Sequence, residues 1–195
     1  MNTPNKLTIL RILLVPFFVA ALLLAVIPHH FLIAGLIFGV ASLTDLLDGK
    51  LARKRGQITD FGKFADPLAD KILVISALIC FVQLGIIGAV PVIVLLFREF
   101  AVTSIRLVAA SNGKVVAANL WGKAKTVSQM IAVVCVFISQ YILELAGMGV
   151  FLISPGMETA FSIITNVLVW ISVLLAVISG VVYLYDNRTC ISGKK

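Results

Sequence analysis

Charge is what this 195-residue chain most conspicuously lacks: 13% of its residues are Asp, Glu, Lys or Arg, against the roughly 25% usual in a soluble globular domain. With 61% hydrophobic residues and a mean hydropathy of +1.11, that shortage excludes an ordinary water-soluble fold and places the chain in a membrane. Cysteine is also sparse. Cys80, Cys135 and Cys190 form an odd, scattered set, which gives neither a disulfide framework nor a metal-ligand spacing. The two histidines, His29 and His30, are adjacent in a short break between apolar runs; they read either as a metal pair or, more simply, as interfacial residues. Acids are scarcer than bases, nine against sixteen, for a net charge of +7. No internal repeat, low-complexity tract or long linker divides the chain, so residues 1–195 are expected to form a single domain.

Apolar runs are what the sequence has in abundance. Bounded by charge or turn signals, they cover Leu7–Ile27, Phe31–Leu51, Asp66–Ile87, Val90–Ala110, Leu120–Leu145 and Phe161–Tyr185. Each is long enough to cross a hydrocarbon core of about 30 Å, which takes roughly 20 residues of helix. The first run has a basic start, as a signal peptide does. At Ile12–Ile27 it outruns the 7–15 residues of such a core and ends in bulky residues, so it is read as a retained span.

Orientation follows from Lys and Arg, which are retained on the cytoplasmic side. Lys6, Arg11, the segment 50–63, the segment Arg106–Lys125 and Arg188, Lys194 and Lys195 all fall on one side, while the other three loops carry no Lys or Arg. The expected fold is therefore all-α: a polytopic membrane protein, a bundle of six transmembrane helices with both termini cytoplasmic. The positive charge marks orientation and contact with anionic membrane lipids, and no nucleic-acid partner is expected.

Five of the nine acids lie in one stretch, DLLDGKLARKRGQITDFGKFADPLAD, residues 45 to 70. On a helix, residues three and four apart share a face. Asp45, Asp48, Gly49, Ala52 and Arg53 then form one stripe at the end of the second run, and Asp66 and Asp70 lie one turn apart at the start of the third. Antiparallel neighbours joined on the cytoplasmic side bring the two pairs into one layer. Four carboxylates at close range repel, and acids in a membrane domain are costly. A divalent cation resolves the conflict: hard oxygen ligands select Mg²⁺, Ca²⁺ or Mn²⁺, and two such ions about 3.5–4 Å apart can clamp a phosphoryl group. Gly49 would let a phosphate or ribose approach the backbone. Pairing with Lys50, Arg53, Lys54 and Arg55 is the alternative; it suits Asp60, which lies off the spacing, better than the other four, because a surface ion pair contributes only about 0–1 kcal/mol.

The run Asp45-x2-Asp48-Gly49-x2-Ala52-Arg53-x8-Gly62-x3-Asp66-x3-Asp70 resembles, position for position, the signature of the CDP-alcohol phosphotransferase family. The resemblance implies a six-helix membrane enzyme, homodimeric, that transfers the phosphoryl-alcohol part of a CDP-linked donor to an acceptor hydroxyl and releases CMP. Implied with it are two Mg²⁺ ions, replaceable by Mn²⁺, on Asp45, Asp48, Asp66 and Asp70, with Asp70 also the base for the acceptor hydroxyl. Arg53 would meet the donor diphosphate, Thr59 the nucleotide, and Gly49 and Gly62 would complete the donor site. PNKLTILR at the start, FREF at Phe97–Phe100 and GKAKTVSQM at Gly122–Met130 look like the bacterial branch that uses CDP-diacylglycerol and sn-glycerol 3-phosphate, with the active site facing the cytoplasm.

Asn5, Thr8 and Arg11, spaced by three, share a helix face that resembles a wall of the nucleotide pocket; a polar helix start with an Arg reaching to the surface is the plainer reading. Arg98 and Glu99 sit near mid-span, where an unpaired charge costs at least about 2.5–3.5 kcal/mol. They are either an internal ion pair or part of a basic pocket, with Arg106, Lys123 and Lys125, for an anionic acceptor. Gly35 and Gly39 suit close helix contact. Sibling transferases acting on serine, inositol phosphate or phosphatidylglycerol remain open, as does, from another class, a cation transporter with intramembrane acids. A membrane prenyltransferase fits less well, given one compact Asp signature and six runs.

Overall fold

A computed structural model of the chain describes residues 3–55, 60–111 and 120–186. They form α1 (Thr3–Leu23), α2 (His30–Arg55), α3 (Asp60–Gln83), α4 (Ala89–Ser111), α5 (Leu120–Gly147) and α6 (Pro155–Asp186), with no strand among the described residues. The charged break that the sequence leaves between the runs Phe31–Leu51 and Asp66–Ile87 is entered by helix from both sides: α2 runs on to Arg55 and α3 begins at Asp60. The physical reason is that a helix need not stop where the hydrocarbon does. Its charged end continues into the polar interface, and cations at the end of α2 and an acid at the start of α3 both complement the helix dipole.

Both α5 and α6 are long and apolar enough to cross a membrane, and shorter apolar stretches run through Thr8–Leu23, His30–Thr44 and Lys71–Gln83. In α6 the large apolar residues Ile163, Val167, Trp170, Leu174 and Val181 are exposed while Thr165, Ser172, Ala176 and Ser179 are buried. A helix in water shows the reverse order; small and weakly polar residues inside with apolar residues outside is how helices pack in lipid. Their hydroxyls do not go unmet: Thr165 donates to the Phe161 carbonyl at 2.8 Å, Ser172 to Val169 at 2.7 Å and Ser139 to Val136 at 3.0 Å.

The chain forms two compact units. One contains Met1–Ile86 and Val136–Glu158, the other Ile87–Cys135 and Thr159–Lys195. In the first, α1 packs along both α2 and α3, which touch each other over a shorter stretch. Its centre is aromatic. Phe137 of α5 stands 5.6 Å from Phe38, 6.1 Å from Phe18 and 5.2 Å from Phe81, ring centre to ring centre. Each such pair contributes about 0.5–1.5 kcal/mol beyond burial alone. Gly35 faces the Phe137 ring at ordinary van der Waals distance, whereas nothing lies within 4 Å of where a side chain at Gly39 would begin. The small pair therefore does not act as one close-contact motif in this unit.

Glycines end α3 and α5. Gly85 (φ 71°) and Gly149 (φ 79°) adopt the left-handed conformation, and the amides of Ile86 and Val150 reach back to the carbonyls of Phe81 and Leu145 at 2.9 and 3.2 Å. At the same end of the unit, Glu144 of α5 closes α2. Its Oε1 accepts from the His30 amide at 2.9 Å and its Oε2 from the Phe31 amide at 3.3 Å, which satisfies donors left open in the first turn.

Candidate functional site

Three helices of the first unit carry inward seams with the same spacing. On α1 the buried positions include Thr8, Arg11, Val15, Phe18 and Leu22; on α2 Phe31, Ala34, Phe38 and Ala41; on α3 Ala69, Leu73, Ala77 and Phe81. Steps of three and four residues keep one stripe toward the neighbours. At the same spacing in the sequence, Asp45, Asp48 and Ala52 follow along α2, and Asp66 and Asp70 precede Leu73 on α3. Among the described residues the α1 seam turns from apolar to polar at Thr8 and Arg11, and the sequence sets the acids at the end of α2 and the start of α3. In antiparallel neighbours those ends coincide.

The side chains of Asn5, Asp45, Asp48, Arg53, Asp66 and Asp70 are outside the described set, as are the surroundings of Gly49 and Gly62, although all eight residues lie on described helices; Thr59 lies outside the described residues altogether. The described part of the wall is Thr8 and Arg11, at 1% and 2% exposure. Arg11 is therefore enclosed within the protein and does not reach to the surface. The donor set fits a hard divalent cation in kind and number, four carboxylates on two neighbouring helices, a composition that favours oxygen-seeking ions over the thiophilic metals. Among the described residues no three His, Cys, Asp or Glu side chains gather. His29 and His30 are held otherwise: His30 Nδ1 donates to the Leu22 carbonyl at 3.1 Å, and His29 Nδ1 lies 3.4 Å from the Tyr141 hydroxyl.

The second unit holds the basic residues. Glu99 Oε1 accepts from Arg98 of its own helix at 2.9 Å and from Lys125 Nζ at 2.6 Å, so one oxygen gathers two cations and ties α4 to α5 through the lysine. Arg98 and Glu99 are thus an ion pair, and Lys125 belongs to it. The other side of Arg98 is set by α6, where Ser179 Oγ accepts from its guanidinium at 2.5 Å. Gly180 leaves room for the arginine stem; a methyl there would begin 3.3 Å from Arg98 Cγ. Two turns along α4, the Nε of exposed Arg106 donates to the Tyr183 hydroxyl at 3.3 Å, with the guanidinium 5.5 Å from the ring centre. Arg98 with Ser179 and Arg106 with Tyr183 ascend together, so α4 and α6 run in the same direction.

Lys123 is not drawn in. It is exposed on α5 while Lys125 is buried, because residues two apart on a helix point to nearly opposite sides. The α6 partners were not visible in sequence. Ser, Gly and Tyr are ordinary residues of a membrane helix, and the bond from Arg98 to Ser179 spans 81 positions.

Comparison with known proteins agrees with these features. A sequence profile described as CDP-alcohol phosphatidyltransferase matches residues 1–178. A Bacillus subtilis protein named CDP-diacylglycerol–glycerol-3-phosphate 3-phosphatidyltransferase is 41% identical, over 95% of this chain and 95% of that protein. Proteins of the same name from Haemophilus influenzae and Rickettsia felis are 44% and 33% identical, covering 67% and 93% of this chain and 72% and 93% of theirs. The chain belongs to the CDP-alcohol phosphatidyltransferase family.

Proposed function

We propose that the protein transfers the phosphatidyl group of CDP-diacylglycerol to sn-glycerol 3-phosphate, giving phosphatidylglycerophosphate and CMP. The observation that carries the reading is the family signature, Asp45 to Asp70, set at the end of α2 and the start of α3, the two helices against which α1 packs with its buried Thr8 and Arg11. The relatives' names supply the two substrates.

Asp45, Asp48, Asp66 and Asp70 would hold two Mg²⁺ ions, which supply positive charge for the donor diphosphate and for the charge that develops on departing CMP. Thr8 and Arg11, with Asn5, Gly49, Arg53, Thr59 and Gly62, bind and orient the nucleotide. The cations Arg98, Arg106 and Lys125 meet the acceptor phosphate; exposed Lys123 serves at most as an outlying charge. The acceptor hydroxyl oxygen forms a bond to the phosphorus that carries diacylglycerol, the bond from that phosphorus to CMP breaks, and Asp70 takes the hydroxyl proton.

The deciding experiment offers glycerol 3-phosphate, serine, inositol phosphate and phosphatidylglycerol separately to the purified protein with CDP-diacylglycerol and Mg²⁺, following CMP release. Glycerol 3-phosphate alone should sustain turnover, and excess EDTA should abolish it. Turnover with another acceptor only, or full activity in EDTA, overturns the substrate or the metal assignment respectively.

The same reading sets the chain in the cytoplasmic membrane as six spans, with both termini and the active site toward the cytoplasm, on the asymmetry of Lys and Arg. Cysteine labelling should find Lys195 and the segment 52–65 on one face; opposite faces would contradict the even count.

A further inference from the structure

We infer that Glu99 is a positioning residue for the acceptor: its carboxylate fixes Arg98 and Lys125 as a preformed pair of phosphate donors. The inference rests on the acceptor reading of the basic cluster given above and adds to it the residue that organises the cluster.

The geometry is specific to Glu99. One oxygen, Oε1, receives Lys125 Nζ at 2.6 Å and Arg98 NH1 at 2.9 Å. The three side chains are 16%, 4% and 12% exposed, so water screens these contacts poorly. Without the carboxylate, two like charges drawn from different helices repel and separate; with it, they converge on one point. Arg98 is fixed from the opposite side by Ser179, and its Nε is buried and makes no hydrogen bond. A cation held at both ends is aimed before any ligand arrives. Preorganised donors lose little freedom on binding, and this lowers the cost of recognising a phosphate.

Two roles for a buried carboxylate predict opposite signs. If Glu99 merely dilutes the positive charge, its neutral isostere makes the site more cationic and the acceptor binds more tightly. If it positions, the cations drift and the acceptor binds more weakly. Steady-state kinetics on the full-length protein in mixed micelles of CDP-diacylglycerol separate them. For Glu99→Gln the KM for glycerol 3-phosphate should rise about tenfold, the scale of losing a charge-assisted hydrogen bond, with the KM for CDP-diacylglycerol unchanged. The combination with Lys125→Met should be strongly non-additive, because both changes release the same contact.

A lowered or unchanged acceptor KM for a folded Glu99→Gln protein overturns the inference, as does an equal rise for both substrates. Should Glu99→Gln not fold, the milder Glu99→Asp retains the charge but withdraws it by one methylene, and must show the same acceptor-specific rise. Arg98→Lys and Lys125→Met alone report on the underlying reading. If neither raises the acceptor KM, the cluster is not the acceptor site; if they do and the Glu99 variants do not, only the positioning role fails.

Discussion

Glu144 and Glu99 are both carboxylates set in long apolar helices, and they differ in what they hold. Glu144, 9% exposed, accepts two backbone amides at the first turn of α2, a helix end that would otherwise leave donors open in an apolar surrounding. Glu99, 16% exposed, accepts two side-chain cations from different helices. The first contact completes a backbone, and the carboxylate's remaining charge complements the dipole at the start of α2. The second gathers two cations on one oxygen. At an effective dielectric of about 20, two unit positive charges a few ångströms apart repel by roughly 3–4 kcal/mol, and the shared carboxylate offsets that repulsion. The comparison predicts that a buried acid is structural or positioning according to whether its partners are backbone amides or charged side chains, not according to its depth.

The aspartates proposed to hold Mg²⁺ extend the comparison, since four carboxylates at one site would need cations to coexist. The largest expected effect follows. Asp70→Asn should lower single-turnover transfer by about 10²–10⁴, the range for loss of a positioned base, while CDP-diacylglycerol binding persists. Asp45→Asn should instead weaken donor binding and recover in part at high Mg²⁺. Donor affinity measured beside single-turnover rate decides: if Asp70→Asn loses donor binding as severely as Asp45→Asn and recovers with Mg²⁺, Asp70 is a fourth ligand and the proton leaves elsewhere. Next in size stands the acceptor-specific rise expected of Glu99→Gln.

How much of this was legible in the sequence depends on how far apart the partners are. The seams needed only local spacing: the steps from Asp45 to Asp48 and from Asp66 to Asp70 are single helical turns, and the surrounding composition made their acids conspicuous. The extent of α2 and α3 was misjudged, because charge in 52–65 was equated with loop, whereas helix continues through a polar interface. The basic cluster was seen by its charges but not by its supports. Ser179, Gly180 and Tyr183 carry no charge and lie 77 to 81 positions from their partners where a hydrogen bond joins them. Glu144 escaped for the same reason: its partner amides are 113 and 114 residues away, and an acid near the end of an apolar run is ordinary at an interface.

The smallest expected effect on activity belongs to Glu144, and it tests the comparison most directly. Glutamine in its place keeps one acceptor oxygen but turns an NH₂ toward a backbone amide, so one hydrogen bond becomes a clash of donors and the negative charge at the α2 start disappears. Loss of a charge-assisted bond at a buried site costs about 1.5–3 kcal/mol. Glu144→Gln should therefore lower the thermal unfolding midpoint of the purified protein while the KM for glycerol 3-phosphate and that for CDP-diacylglycerol stay within about twofold, since well-separated sites contribute independently. Glu99→Gln should give the opposite pattern, with the acceptor KM moved further than stability, because Arg98 retains Ser179 as a partner when the carboxylate is gone. Thermal midpoints and both KM values for the two variants settle the matter. A Glu144→Gln protein of unchanged stability with a raised acceptor KM would show that the kind of partner does not separate a structural acid from a positioning one.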